Sequence, residues 1–237
     1  MESGLHEQSS SLLTVSGDYH ILWLALTHYA VHDQASRPYT SLQTVAGGYK
    51  EAGKGFPTAG FIDIEESPIT KNSKLYVRKC YPDLYNIIKG GISKVVNIAI
   101  TGTPGIGKSC FLLYFILQLL YESTDDEPNI VIFHPEPNVC YCYYGTELAY
   151  TGSYNDFTNF LDIPNVWCLS DIEDGPPERV LAKSIVALSP ERAPMRFPDF
   201  TNSSRMSIEV ANFACRYGLL KRYRIVEKGS SPTCPKM

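Results

Sequence analysis

One short stretch constrains this chain more than any other: Thr101-Gly102-Thr103-Pro104-Gly105-Ile106-Gly107-Lys108-Ser109. It fits G-x-x-x-x-G-K-[ST] at every fixed position. Glycines at 102, 105 and 107 allow backbone angles that a Cβ forbids, so successive amide N–H groups can turn inward around an anion. Lys108 is spaced to set its ammonium between β- and γ-phosphates, and Ser109 to offer a hydroxyl to Mg²⁺. A helix opening at Ser109 would add the positive end of its dipole. The candidate phosphate-binding residues are therefore Gly102, Thr103, Pro104, Gly105, Ile106, Gly107, Lys108, Ser109 and Cys110.

The surrounding sequence supplies the context such a loop needs. Val95 to Ile100 (VVNIAI) is β-branched and almost wholly apolar, as expected of a strand buried on both faces. Cys110 to Tyr121 (CFLLYFILQLLY) is apolar all round, which predicts a helix inside a larger domain. The alternative to phosphate binding is a glycine loop that joins strand to helix and holds no ligand.

Further strands are predicted at Ile130 to Phe133, Val139 to Tyr144, Val166 to Leu169 and Ser184 to Leu188, the second of them in a hairpin with a neighbour. Strands alternating with helices from residue 95 onward predict an α/β fold with a mainly parallel sheet covered on both faces. Upstream, Lys74 to Gly91 alternates apolar and polar residues and then shifts to helical spacing at Leu84, Ile87 and Ile88, stopping at Gly90-Gly91. Gly47-Gly48, Gly53 and Gly55 argue against regular structure before residue 60. Three regions result: a poorly ordered leader over 1–60, the α/β domain over 61–200, and a short helix (Met206 to Tyr217) with a frayed tail over 201–237.

A magnesium-dependent site also needs a carboxylate at the end of a neighbouring strand. Asp171, at the tip of VWCLSD, is the candidate. Glu173 and Asp174 follow it, and either is placed to orient an attacking water as general base. Ser189, directly after the SIVAL strand, stands where a γ-phosphate sensor would. For these residues a solvated acidic turn and an ordinary Ser-Pro turn are the competing readings. Arg192 and Arg196 are weaker phosphate candidates. Tyr76 and Arg78 are candidates for stacking on a base or ribose, against a core role for Tyr76.

Composition excludes several classes. The chain has 237 residues and a net charge of −4, so no global basic field draws it to nucleic acid or anionic lipid. Its seven cysteines, odd in number and irregularly spaced, read as reduced thiols. Cys140 and Cys142 lack a second pair to complete a zinc site, and His28 and His32 lack the intervening glutamate of a metalloprotease helix. The N-terminus has no secretory-signal pattern. Phe111 to Leu120 is half the roughly twenty residues that a bilayer span needs, which predicts a soluble protein without a membrane anchor.

The residues LYVRKCYPDLYNII, then TGTPGIGKS, then VWCLSDIEDGPPERV and AKSIVALSP resemble the NTPase module of Crinkler-type effector proteins and the related retrotransposon hot spot proteins. The resemblance covers roughly residues 61 to 200. It implies a three-layer P-loop NTPase fold with ATP and Mg²⁺ as ligands. The family's phosphate-loop residues carry over onto Gly102, Gly105, Gly107, Lys108 and Ser109, its magnesium-site aspartate onto Asp171, and its sensor-like serine onto Ser189. It also implies an effector secreted to a host cell, action in a nucleus, and a protein or nucleic-acid partner. Two departures stand out. No translocation header is recognisable in residues 1–60, and the pattern fades after Ser189-Pro190, as in a shortened member with an incomplete C-terminal lid. The rival readings are a nucleoside-kinase-like phosphotransferase and a non-enzymatic interaction protein with a relic phosphate site. No N-K-x-D segment follows the loop, which disfavours guanine.

Overall fold

The computed structural model describes residues 40–64, 73–91, 97–146, 148–171, 181–188, 206–210 and 223–227. Its elements in chain order are α1 (Thr40–Glu51), β1 (Gly60–Asp63), β2 (Lys74–Val77), α2 (Cys80–Gly91), β3 (Asn97–Thr101), α3 (Lys108–Glu122), β4 (Ile130–Glu136), β5 (Val139–Tyr144) and β6 (Leu148–Gly152). A 3₁₀ segment (Tyr154–Asp162), β7 (Trp167–Ser170), β8 (Lys183–Leu188), β9 (Met206–Val210) and β10 (Tyr223–Glu227) follow.

β1 and β2 form a small antiparallel ribbon, Gly60 opposite Val77 and Asp63 opposite Lys74. The other eight strands make one sheet in the order β10-β9-β3-β8-β7-β4-β5-β6. Its five central strands, β9 through β4, run parallel. β10 at one edge and β5 and β6 at the other are antiparallel. The sheet is thus mixed, with a parallel centre and antiparallel edges, and short turns join β4 to β5 and β5 to β6.

Alternation along the strands sorts side chains to two faces. Ile98, Ile100, Val131, Phe133, Trp167, Leu169, Ile185 and Ala187 join the core beneath α1, α2 and α3. Ile130, Ile132, Cys140, Cys142 and Cys168 face the other way, onto Phe157, Phe160 and Leu161 of the 3₁₀ segment. α3 explains its own all-round apolarity. Phe111 through Leu117 are all buried, between the sheet and the layer made by α1 and α2. Phe115 is its hub, with ring centroids 5.0 Å from Trp167, 4.9 Å from Tyr85 and 5.9 Å from Phe111.

Two expectations are corrected. Gly47 and Gly48 lie inside α1, because tertiary contacts override the cost of about 1 kcal/mol that each mid-helix glycine imposes, whereas Gly53 and Gly55 fall past its end, outside regular structure. Leu42 and Ala46 are buried in the main core, and the Gln43 amide donates to the carbonyls of Gly145 (3.0 Å) and Leu148 (2.6 Å). Met206–Val210, read as the start of a helix, is β9, whose ladder pairs Ile98 with Met206 and Thr101 with Glu209. Its alternation of Met, Ile and Val with Ser and Glu fits a strand as well as a helix over so few residues, and the open edge of β3 decides. Residues 1–39, with His28 and His32, and residues 211–217 lie outside the described residues.

Candidate functional site

β3 and β8 lie side by side, yet their onward connections leave in opposite directions: β3 through α3 to β4, and β8 past β3 to β9. Adjacent parallel strands that part in this way open a crevice at their C-terminal ends, where α/β sheets bind ligands. The glycine loop stands at that crevice, between Thr101 and Lys108.

Its backbone takes the form the glycines allow. Gly105 has φ +74° and Gly107 φ +95°, both left-handed. Ile106 is buried and ties the loop to the main core, while Thr103, Pro104 and Gly105 are exposed. Gly107 caps α3, and its carbonyl accepts two hydrogen bonds, from the Phe111 N–H at 2.9 Å and the Tyr81 hydroxyl at 3.0 Å. A Cβ on Gly107 would stand 2.9 Å from the Tyr81 oxygen. This position is glycine for conformation and for space. Burial pushes the Tyr81 hydroxyl well above its ordinary range, so it remains a donor.

The Lys108 ammonium folds back over the loop and donates to the carbonyls of Gly102 at 2.7 Å and Thr103 at 3.3 Å. Desolvation lowers its pKa, and the nearby Asp171 carboxylate counters that shift. Asp171 follows β7 directly. Trp167 and Leu169 point to the α3 face, and strict alternation brings Asp171 to that face at the strand's C-terminal end. There its carboxylate comes near the Ser109 side chain and the Lys108 ammonium. Burial raises the Asp171 pKa, while the Ser109 hydrogen bond and Lys108 lower it. Ser109, Lys108 and Asp171 therefore converge from two strands that are separated by β8. Cys110, half-buried in the first turn of α3, has its thiol pushed up mainly by burial.

Glu173, Asp174, Ser189, Arg192 and Arg196 lie outside the described residues. Tyr76 and Arg78 are driven apart. Tyr76 is exposed and pairs with Phe61 on the ribbon at a centroid separation of 5.0 Å. Arg78 instead reaches the loop beside Gly107. The Tyr81 clamp has no sequence signal, because Tyr81 reads as one more apolar residue on the buried face of α2.

Behind Asp171 is a second polar group that sequence reasoning missed. The Asp171 N–H donates to the His134 carbonyl at 3.0 Å. The His134 ring stacks on Tyr154, with centroids 5.0 Å apart and planes 19° from parallel. His134 and Ser170 are cross-strand partners on β4 and β7 and are buried. Neither imidazole nitrogen, nor the Ser170 or Tyr154 hydroxyl, makes a well-formed hydrogen bond among the described residues. Desolvation lowers the His134 pKa, with the Glu136 backbone opposing it. No group of three or more His, Cys, Asp or Glu among the described residues is arranged to hold a metal ion. No helix among them is long and apolar enough to cross a membrane.

Fold and loop together define an α/β protein with a glycine loop at the C-terminal edge of a central parallel strand. The chain is similar to Crinkler effector protein 15 and Crinkler effector protein 16 of Phytophthora infestans, 30% identical to each over 133 residues. The match covers 53% of this chain and 20% of each relative, so the chain spans about a fifth of the length of these curated relatives. This supports a Crinkler-like relationship. No family model matches, and no solved structure matches.

Proposed function

We propose that this chain binds ATP with Mg²⁺ through the loop 102–110, as the P-loop nucleotide-binding module of a Crinkler-like effector protein. The observation that carries the reading is the left-handed glycine turn at Gly105 and Gly107 ending at the N-terminus of α3, with the Asp171 carboxylate brought near Lys108 and Ser109 from a separate strand. A glycine turn with no ligand requires no such pairing.

The amides of the left-handed turn at Gly105 and Gly107 hold phosphate oxygens, and the α3 N-terminus favours the anion. Lys108 exchanges its two carbonyl partners for phosphate oxygens, whose negative charge counters the desolvation that lowers its pKa. Ser109 would hold Mg²⁺ through its hydroxyl oxygen and Asp171 through its carboxylate. Bound there, Mg²⁺ neutralises charge on the terminal phosphates. Glu173, Asp174 and Ser189 keep the roles the sequence suggests, as water-orienting bases and γ-phosphate sensor. Hydrolysis, delivery to a host cell, action in its nucleus, and a protein or nucleic-acid partner complete the proposal through the likeness to the two effectors.

Titration with labelled ATP and GTP, with and without Mg²⁺, tests this reading. Lys108→Ala should weaken ATP binding by about a hundredfold or more, as expected for loss of a charge-assisted phosphate contact in a closed loop. Asp171→Asn should leave binding and remove its Mg²⁺ dependence. Equal affinity of wild type and Lys108→Ala would favour the relic reading instead.

A further inference from the structure

Arg78 stands in the turn between β2 and α2. Its carbonyl accepts the Tyr81 N–H at 2.9 Å, and the buried neighbours Val77 and Tyr81 fix that turn against the core. From there its side chain reaches the loop. A Cβ placed on Gly107 would meet the Arg78 guanidinium carbon at 3.4 Å and Nε at 3.5 Å. The guanidinium also acts electrostatically on the Cys110 thiol and the Tyr81 hydroxyl.

The loop thus has two flanks of opposite chemistry. On one, Asp171 meets Ser109 and Lys108. On the other, Arg78 lies against Gly107, one residue from the Lys108 cation and at the positive end of α3. Arg78, Lys108 and the helix N-terminus gather positive charge around Gly107, an arrangement that favours an anion bound there. The magnesium flank belongs to the terminal phosphates, because Ser109 serves the metal and Lys108 the β/γ oxygens. The guanidinium flank is left for the inner ones.

We propose that Arg78 is a phosphate-binding residue that grips the α/β portion of the nucleotide from the Gly107–Cys110 side of the loop. The proposal rests on the ATP-binding reading and deepens it: a residue about thirty positions upstream supplies a second cation that the loop motif does not contain. Its planar fork suits two oxygens of a diphosphate unit, which a lysine serves only as a point charge.

The test compares wild type, Arg78→Ala, Arg78→Gln and Arg78→Lys for ATP and ADP affinity, with pyrophosphate as competitor, at two salt concentrations. Circular dichroism verifies folding of each variant. Arg78→Ala and Arg78→Gln should weaken ATP and ADP alike by about tenfold, weaken competition by pyrophosphate, and flatten the salt dependence. Arg78→Lys should recover part of the loss, and Mg²⁺ dependence should persist in all three. A purely structural arginine would leave the salt dependence unchanged. Unchanged affinity in Arg78→Gln, with wild type still binding, overturns this proposal and leaves the loop reading standing. Loss confined to ATP, with ADP unaffected, also overturns it, because it moves Arg78 to the terminal phosphate. A wild type that binds no nucleotide overturns both.

Discussion

The two faces of the sheet are built differently. Beneath α1, α2 and α3 lies a continuous aromatic and aliphatic core in which Tyr81, Phe111, Tyr114 and Phe115 interlock ring against ring. The opposite face is closed by the 3₁₀ segment, whose Phe157 and Phe160 pack over cysteines of the sheet and whose Tyr154 stacks on His134, beside Ser170. The first face sets the loop: Ile106, Tyr81 and α3 fix it from within that core. The second holds β4 and β7 together, and through the His134 carbonyl it holds the Asp171 backbone. Loop geometry therefore depends on the first core, whereas β7, which carries Asp171 at its end, is packed by both, and perturbing one core should leave the other's contribution readable.

The largest effect should come from Phe115→Ala. It empties the centre of the helical face and should cost about 3–5 kcal/mol in denaturant unfolding, with nucleotide affinity falling as α3 shifts. Phe160→Ala on the other face should cost about 3 kcal/mol and spare Lys108-dependent binding. If it weakens binding as much as Phe115→Ala does, the division of labour between the faces is wrong. Next is Asp156→Ala. The Asp156 carboxylate accepts from both the Ser153 N–H (2.7 Å) and the Ser153 hydroxyl (2.9 Å) at the start of the 3₁₀ segment. Its loss should cost about 1 kcal/mol of stability, measurable as a shift in the urea midpoint.

The last effect is a pH dependence, which vanishes at neutral pH. His134 is buried with its pKa lowered, so the unfolded chain binds more protons than the folded one below the ordinary value of about 6.5. Stability from this group is complete above that value and falls as pH drops, by at most about 1.4 kcal/mol per pH unit. Asp171 has the opposite sign. Its raised pKa makes the folded state the stronger proton binder above 3.8, so its contribution falls as pH rises through that window. His134→Phe, which keeps a ring against Tyr154, should remove the acid-side loss seen between pH 6.5 and 5. An unchanged pH profile would mean that another group carries that dependence.

Much of the helical face was legible in advance. VVNIAI, TGTPGIGKS and CFLLYFILQLL each satisfy a local rule (a buried strand, a turn only glycine allows, a buried helix), and these rules need no distant partner. The same locality misled at Gly47-Gly48, where propensity argued against the helix that Leu42, Gln43 and Ala46 secure by tertiary contact. It misled again at Met206–Val210, where five residues cannot separate period 2 from period 3.6. The other face was nearly silent in the sequence. The segment YNDFTNFLD reads as polar, and His134 carries no signal of its stack on Tyr154.

The amino-acid order by itself set the loop, its flanking strand and helix, and the strand tips at which Asp171 emerges, because backbone freedom and side-chain alternation are properties of a few consecutive residues. Only the tertiary structure decided that β8 would lie between β3 and β7, that Tyr81 would clamp Gly107, that Arg78 would reach the loop while Tyr76 turned away, and that Ser109 would meet Asp171. Those outcomes depend on strand order and on the packing of residues far apart in the chain, where each contact is selected by the free energy of the whole core and not by its neighbours in sequence.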